Sequence, residues 1–259
     1  RNSELKQLDT LIEDKARLIT VTGAGGTGKT RLVQRFGAMH LQRFEGGVWF
    51  CDLTEAREAE DIYRSIAATL GTTLNKKNME EQLTEVISES GKILLLLDNC
   101  EHVIEEASHI VNQWLQHADK AYVISTSREP LRVPGEHLFY LDPMPSSEAV
   151  QLFIERAQAV HPHFSLTEQN TPIIAEIVER LDRMSLAIEL AAARIRMLPP
   201  DRLLERLSKR FDLLKHQRRD VAARQATLRG AIDWSWQLLE PWEQSALAQC
   251  SVFHSGFTL

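Results

Sequence analysis

Gly23-Ala24-Gly25-Gly26-Thr27-Gly28-Lys29-Thr30 is the stretch of the sequence that decides its fold. It matches the pattern G-x-x-x-x-G-K-[ST], which requires a strand before it and a helix after it. Residues 17–22 (R-L-I-T-V-T) are rich in β-branched side chains and predict a strand. Residues 30–43 carry apolar side chains at helical spacing and predict a helix. The motif therefore stands in the required context and predicts a phosphate-binding loop, called the phosphate loop below (residues 23–30).

The residue types of the phosphate loop explain how it would hold a nucleotide. Glycines let the backbone come close to an anion, and the loop amides and the following helix N-terminus then converge on the phosphates. Lys29 would reach the β- and γ-phosphates, and the Thr30 hydroxyl would coordinate Mg²⁺. A glycine turn that matches by chance is the alternative, but the flanking pattern and a second motif downstream favour a nucleotide site. The predicted nucleotide-binding residues are Gly23, Ala24, Gly25, Gly26, Thr27, Gly28, Lys29 and Thr30.

A second motif is the acid at the end of an apolar run. Residues 92–97 (K-I-L-L-L-L) predict a strand buried on both faces, and Asp98 follows directly. The carboxylate would then lie beside the phosphate loop and orient Mg²⁺ through water, although a solvated acid is the alternative. The residue after Asp98 is Asn99, whose neutral amide cannot serve as a general base for hydrolysis. Glu101 either substitutes as a base or is only a helix-end charge, so we expect hydrolysis to be slow or to require a partner.

A third candidate is Arg128, which follows the strand-like residues 121–125 and the polar pair Thr126-Ser127. Its guanidinium could contact the γ-phosphate and so distinguish ATP from ADP. A surface arginine is the alternative, and position alone does not separate the two. Lys29, Asp98 and Arg128 are the candidate catalytic residues, and Thr30 and Asp98 are the candidate metal ligands.

Predicted strands alternate with predicted helices up to about residue 142, and this order indicates βαβ units with a parallel sheet. Ligands of such sheets bind where the strands end. The remaining pattern is helical only, and an alanine-rich segment, residues 186–193, would permit close helix packing. We therefore predict a nucleotide-binding domain at residues 1–143, a helical domain at 144–222 and a third domain beginning at 223–259. The predicted strands are residues 17–22, 48–53, 92–97, 121–125 and 137–141.

Composition limits the possible partners. The 259 residues carry 30 Lys and Arg against 36 Asp and Glu, which argues against a nucleic-acid surface along the whole chain. Residues 202–229 are locally basic, and we favour a solvated face over DNA contact there. No apolar run reaches the ~18 residues of a membrane span. Three scattered cysteines predict reduced thiols and a cytoplasmic location. A start at Arg1 without methionine suggests a piece of a longer protein.

These motifs, in this order, resemble the STAND class of signal-transduction ATPases. The similarity is to the NB-ARC type, and nearest to the bacterial branch found in multidomain transcriptional regulators. Residues 95–102 are very like the D-N-C-E-H form of its Walker B segment, and residues 125–128 resemble its sensor I strand. Three further segments contribute: residues 1–5 resemble the end of a G-R-E-x-x-L box, residues 186–194 the stretch after G-L-P-L-A, and residues 227–236 the start of a winged helix.

The resemblance implies an α/β P-loop NTPase domain with a parallel sheet, a small all-α domain and the start of a winged-helix domain. Members hold ADP when off, exchange it for ATP, and then open and oligomerise. The resemblance implies that the ligands are ATP or ADP with Mg²⁺, and it favours adenine over guanine as the base. It also implies that Arg128 contacts the γ-phosphate. The family's Gly-Leu-Pro is Arg183-Met184-Ser185 here, a departure that bears on nucleotide affinity and base selectivity.

The expected function is a regulatory ATP/ADP switch, a module of a larger signalling or transcriptional regulator with slow or partner-dependent hydrolysis. The expected partners are nucleotide and, in the full-length ATP state, further copies of the chain. Three alternatives remain: a rapid ATPase, which Asn99 argues against, a DNA-binding module acting through the winged helix, and a nucleotide-free scaffold.

Overall fold

The structure of the protein is a computed structural model, and it describes residues 1–215, residue 236 and residues 241–251. The chain divides into two units, Arg1–Asp142 and Pro143–Leu259. The strands of the first unit are β1 (Leu18–Thr22), β2 (Val48–Asp52), β3 (Ile93–Asp98), β4 (Ala121–Ser127) and β5 (Glu136–Tyr140). Its helices are α1 (Asn2–Glu13), α2 (Lys29–Met39), α3 (Ala59–Leu70), α4 (Met79–Glu89) and α5 (Ile104–His117).

All five strands form one parallel sheet in the order β2-β3-β4-β1-β5. Strand β4 lies between the strand that leads into the phosphate loop and the strand that ends at Asp98. Thr22 pairs with Ser127, and Leu97 pairs with Ser125, so the three strands end at the same edge. This order brings the phosphate loop and both polar strand ends predicted from the sequence to one place.

The apolar run of β3 is buried on both faces of the sheet, as its composition predicted. Leu95 and Leu97 belong to a core with α3, α4 and α5, whereas Leu94 and Leu96 belong to a second core with α1 and α2. Helix α2 approaches this second face closely at Gly37. A Cβ there would lie 2.7 Å from a Leu96 methyl carbon, so a larger residue would push the helix away from the sheet.

Every regular element that the structure describes in the second unit is helical. The helices are α6 (Ser146–Val160), α7 (Thr171–Arg180), α8 (Ser185–Ala192), α9 (Pro200–Lys215) and α10 (Pro241–Cys250). Pro172 lies in the first turn of α7, where its missing N–H costs nothing. Ala187, Ala191 and Ala192 of α8 are fully buried, which allows α8 to pack closely on α6.

The turn between α7 and α8 holds two consecutive non-glycine residues in the left-handed region. Asp182 has a φ of 50° and Arg183 a φ of 54°. Arg183 stands where the resembled family has glycine, and this backbone conformation is the one that glycine adopts without steric cost. Met184, in the next position, is buried with 1% of its surface exposed.

Two of the predicted elements end at least two residues away from their observed ends, and the other predicted strand boundaries differ by at most one residue. The helix predicted for residues 30–43 ends at Met39, and a short 3-10 turn (Leu41–Arg43) follows because it brings Phe44 into the core. Strand β4 runs on to Ser127, because Thr126 and Ser127 continue the ladder with β1. Trp242 of α10 is 71% exposed, and α10 buries none of its residues.

Several predictions lie mostly outside the described residues. These are the start of the winged helix at residues 227–236, apart from residue 236, and the second half of the basic stretch, residues 216–229. In the described part of the chain, no helix combines the length and apolar character needed to cross a bilayer. Cys51, Cys100 and Cys250 are all free, and burial raises the pKa of the Cys51 thiol to about 11.

Candidate nucleotide-binding site

The phosphate loop has the backbone that its glycines predict. Gly26 and Gly28 have φ values of 80° and 95°, a region that side-chain-bearing residues rarely adopt. Gly23 is needed for space as well, because a Cβ there would lie 2.8 Å from the Leu141 carbonyl oxygen. The Thr27 hydroxyl donates to the Ala24 carbonyl at 2.9 Å and closes the loop on itself. The loop is therefore a compact cradle at the N-terminus of α2.

Lys29 folds back over this cradle. Its ammonium donates to the carbonyl oxygens of Gly23 at 3.0 Å and Ala24 at 3.3 Å. Burial lowers the pKa of Lys29, while the negative charges of Glu101 and Asp98 act in the opposite direction. A half-buried ammonium held by neutral carbonyls has an incomplete charge balance, which phosphate oxygens would complete.

Asp98 is the polar centre of the strand edge. It is 2% exposed, and the Thr30 hydroxyl lies 2.8 Å from Oδ1 and 2.9 Å from Oδ2. The Thr126 hydroxyl donates to Oδ1 at 2.5 Å. Thr30 and Asp98 thus meet directly although 68 residues separate them. Thr126, which the sequence analysis noted only as polar, fixes the carboxylate from the neighbouring strand.

The donor set around Asp98 fits Mg²⁺. Carboxylate and hydroxyl oxygens are ligands that Mg²⁺ prefers, and this cation usually takes only one or two carboxylates with substrate phosphates and water. Across the described ranges, no cluster of three or more His, Cys, Asp or Glu could hold a metal alone. Thr30 and Asp98 would therefore hold Mg²⁺ together with a nucleotide, and the ion would supply charge neutralisation for the phosphates.

Asn99 connects two acidic strand ends. Its side-chain amide lies 3.1 Å from Asp98 Oδ2, 2.8 Å from Thr54 Oγ1 and 3.4 Å from Asp52 Oδ1. Its φ is 62°, a left-handed conformation that asparagine tolerates better than most residues. Burial would raise the pKa of Asp52, but hydrogen bonds from Thr54 and Asn99 lower it. Sequence reasoning missed Asp52, and its one signal was its position at a strand end.

Arg128 is connected to the site by an ion pair with Glu101. Arg128 Nε lies 3.2 Å from Glu101 Oε1, with side chains 58% and 23% exposed respectively. Glu101 belongs to a 3-10 turn (Cys100–His102) and not to α5, which begins at Ile104. Its other oxygen, Oε2, is buried without a hydrogen-bond partner among the described residues. Glu101 is the acid in the first turn of this 3-10 helix, and a role for it as a base stays a prediction.

Arg1, at the N-terminal end of the chain, is hydrogen-bonded to the phosphate loop. Its guanidinium donates to the carbonyl oxygens of Thr27 at 3.0 Å and Asp142 at 2.8 Å, and it pairs with Glu4 at 2.7 Å. Arg1 is not among the site residues predicted from the sequence. Nothing local in the sequence signals a contact with a residue 26 positions away.

The first unit matches a known family model. Residues 12–130 match the model described as AAA domain, a range that includes the phosphate loop, Asp98 and Arg128. Residues 12–130 form an AAA-type P-loop ATPase domain. The match, together with the order of the five strands, confirms the α/β P-loop fold predicted from the sequence.

Two relatives from Mycobacterium tuberculosis strain H37Rv are longer than this chain. An uncharacterized protein is 33% identical over 261 residues, which is 100% of this chain and 66% of that protein. A protein provisionally named an HTH-type transcriptional regulator is 36% identical over 246 residues, which is 94% of this chain and 27% of that protein. The chain thus spans about two thirds of one relative and about a quarter of the other.

Solved structures with the same fold have low sequence identity. One is a STAND protein with a tetratricopeptide repeat sensor from Pyrococcus horikoshii, with a TM-score of 0.55, 17% identity, and coverage of 98% of this chain and 34% of that one. Another is Cdc6p from Pyrobaculum aerophilum, with a TM-score of 0.52, 15% identity, and coverage of 89% and 66%. At such identities these likenesses show the fold alone.

The AAA-type domain brings most of the predicted site residues together. Thr30 and Asp98 are in direct contact, and Lys29 lies over the phosphate loop. Arg128 is joined to this group only through Glu101. The roles of Lys29, Asp98 and Arg128 in binding or hydrolysis remain predictions.

Proposed function

We propose that this chain is an ATP/ADP-dependent molecular switch that hydrolyses ATP slowly or only with a partner. One observation carries the proposal: a buried carboxylate, Asp98, contacts the Thr30 hydroxyl at the base of a glycine loop on which Lys29 is folded. An anion-binding cradle, a cation and a Mg²⁺-compatible oxygen pair are the parts that phosphoryl binding requires.

Slow turnover is supported by the position after Asp98. An amide cannot serve as a general base, and the amide of Asn99 is in addition engaged with Asp98, Thr54 and Asp52. A motor or metabolic ATPase needs a poised base at each turnover. Sustained hydrolysis on the order of 10 s⁻¹, the median for enzymes, would contradict the switch and favour a rapid ATPase.

The relatives support a regulatory setting. This chain aligns with about a quarter of a protein provisionally named a transcriptional regulator, so the output function would lie in other parts of a longer chain. We propose that the full-length protein self-associates in its ATP state and acts in the cytoplasm, in keeping with three free cysteines. The resemblance to the STAND class favours adenine over guanine as the bound base. Competition between ATP and GTP for binding tests this preference.

The first experiment identifies any nucleotide that purifies with the protein. Freshly purified protein is denatured, and the released nucleotide is separated by chromatography. Bound ADP near one per chain supports the off state of a switch and shows that Arg183-Met184-Ser185 is compatible with binding. Ligand at about 100 times its Kd should also raise the free energy of unfolding by about 2.7 kcal/mol. An empty protein whose melting temperature is unmoved by Mg-ADP and Mg-ATP refutes the proposal and indicates a nucleotide-free scaffold.

A further inference from the structure

We propose that Asn99 relays the occupancy of the magnesium site to the loop between β2 and α3 (residues 53–58), called the β2–α3 loop below. The relay rests on the proposed function, because it requires a nucleotide with Mg²⁺ at Asp98. The Asn99 amide lies between this buried carboxylate and the exposed Thr54 of the loop, and it is hydrogen-bonded to both. A change at the nucleotide site would therefore be passed to the protein surface.

Three hydrogen bonds attach the β2–α3 loop to the turn that follows β3. The Leu53 amide donates to the Asp98 carbonyl oxygen at 3.0 Å, and the Asn99 side chain donates to Thr54 Oγ1 at 2.8 Å. His102 Nε2 lies 2.8 Å from the Leu53 carbonyl oxygen, and it carries the hydrogen because a carbonyl only accepts. The loop is thus held by the same short segment that ends the strand of the magnesium-orienting acid.

Asn99 has more acceptors within reach than it has hydrogens to donate. Its amide nitrogen carries two hydrogens. The three acceptors are Thr54 Oγ1 at 2.8 Å, Asp98 Oδ2 at 3.1 Å and Asp52 Oδ1 at 3.4 Å. The amide therefore divides two hydrogens between the buried carboxylate on one side and the two groups at the end of β2 on the other.

Both carboxylate oxygens of Asp98 already accept hydrogen bonds. Oδ1 accepts from Thr126 at 2.5 Å and from Thr30 at 2.8 Å, and Oδ2 accepts from Thr30 at 2.9 Å and from Asn99 at 3.1 Å. A carboxylate offers about four lone-pair sites, so a magnesium ion or its water must replace one of these donors. Asn99 is the donor that yields, because its bond is the longest of the four and its amide has other acceptors in place.

The released hydrogen would pass to Asp52 Oδ1, which already holds the start of the β2–α3 loop. This oxygen accepts from the Thr54 backbone N–H at 2.9 Å and from the Thr54 hydroxyl at 2.5 Å. Asn99 would then donate to both partners of that turn at once. Binding of nucleotide with Mg²⁺ is therefore expected to hold the loop more tightly than binding of nucleotide alone.

The β2–α3 loop is built so that such a change can be sensed from outside. Leu53 and Ala56 are buried and anchor the loop in the core, whereas its other four residues are exposed. Coupling between two sites is reciprocal in free energy. A partner that orders this loop would in turn strengthen the binding of nucleotide with Mg²⁺, which is the kind of control that a regulatory switch requires.

Hydrogen exchange of the loop amides measures the relay without requiring hydrolysis. Peptides that cover residues 53–58 are compared in the full chain with saturating ADP or a non-hydrolysable ATP analogue, once with Mg²⁺ and once with EDTA. Calorimetry establishes saturation under each condition. With Mg²⁺, exchange in wild type should slow by about 3- to 10-fold, the ratio given by one added hydrogen bond of ordinary net strength.

Two variants remove the relay from opposite ends. Asn99→Gly deletes the amide and keeps the left-handed backbone, because glycine adopts a φ of 62° without steric cost. Thr54→Val leaves Asn99 with two acceptors for its two hydrogens, so the competition disappears. Both variants should lose the Mg²⁺-dependent slowing, and the double variant should lose no more than either single one. Thr73→Val, at an exposed position between α3 and α4, is the matched control and should keep it.

His102→Ala separates the relay from a purely structural attachment. His102 holds the loop but does not touch Asp98 through its printed bond to Leu53, so its loss should speed exchange by the same factor with Mg²⁺ and with EDTA. The ratio between the two conditions should then remain that of wild type. A general loosening of the loop would instead abolish the ratio in H102A as well, and that result contradicts a specific role for Asn99.

The remaining outcomes also decide the proposal. Equal exchange with Mg²⁺ and EDTA in nucleotide-bound wild type overturns the relay and leaves the nucleotide switch intact. Slowing that persists in T54V does the same, and this exposed substitution decides the matter even if N99G fails to fold. A wild type that binds neither nucleotide in calorimetry refutes the proposed function, and the relay with it.

Discussion

Thr30 and Asp98 touch across 68 residues of sequence, with the hydroxyl 2.8 Å from one carboxylate oxygen and 2.9 Å from the other. The contact joins the first turn of α2 to the last residue of β3. Without a cation, the hydroxyl proton compensates part of the buried negative charge. Mg²⁺ would take over that compensation and use the same oxygens, so Thr30 and Asp98 are already arranged for the ion.

Asp98→Ala is expected to abolish the dependence of ATP binding on Mg²⁺. Loss of a group that orients a metal typically costs 10–100-fold in metal affinity. Calorimetric titration of ATP with Mg²⁺ and with EDTA measures the effect, and Asp119→Ala, at an exposed turn, is the control. The same ATP affinity in wild type with and without Mg²⁺ would contradict the assignment of Asp98.

Lys29→Ala is expected to abolish tight binding of both ADP and ATP. The ammonium is half-buried over the phosphate loop, and removing it leaves the phosphates without their direct cationic partner. The control is Arg35→Ala, which removes the same charge from an exposed position further along α2. Calorimetry should show binding in R35A and none in K29A, and equal affinities would refute the placement of Lys29.

Local patterns in the sequence were sufficient to predict where the phosphate loop and Asp98 lie in the fold. Both depend on residues within a few positions of one another: glycines between a strand and a helix, and an acid after a doubly buried strand. The order of the strands in the sheet could not be predicted from such local patterns. That β4 lies between β1 and β3 depends on which strands pair, and the order of elements along the chain does not specify it.

The contacts that complete the site were not predictable for the same reason. Thr126 reaches Asp98 from 28 residues away, and Arg1 reaches Thr27 from 26. The sequence did not decide the role of Glu101, because a glutamate shortly before a helix is equally suited to be a helix-end charge. In the structure Asn99 has a left-handed conformation, and Glu101 lies in the 3-10 turn that follows it.

Asn99→Asp is expected to destabilise the AAA-type domain by about 1–3 kcal/mol at neutral pH, the usual range for losing hydrogen bonds at a buried partner. The change removes the amide that donates to Asp98 and Thr54, and it adds a third carboxylate beside Asp98 and Asp52. Asn112→Asp, which adds the same charge on α5, is the control. Thermal melting of both variants measures the difference.

The pH dependence of the same variant gives a second check. Crowding by like charges raises the pKa of the new carboxylate in the folded state above its unfolded value. The folded state then binds more protons, so the stability deficit should be largest at neutral pH and should shrink as the pH falls toward about 4. A deficit that is independent of pH would mean that the lost amide, and not charge repulsion, dominates.

Arg183→Gly is expected to stabilise the second unit by about 0.5–1 kcal/mol. Arg183 has a φ of 54°, a conformation that costs a residue with a Cβ on the order of 1 kcal/mol, and glycine removes that cost. The arginine also pairs with Glu179 at 3.6 Å, but both side chains are exposed and such pairs contribute little. Arg183→Ala is the matched control, because it loses the same ion pair and keeps the Cβ. Urea unfolding of the full chain should place R183G above wild type, with R183A at or below it. If R183G and R183A unfold alike, the left-handed turn is not a source of strain in this protein.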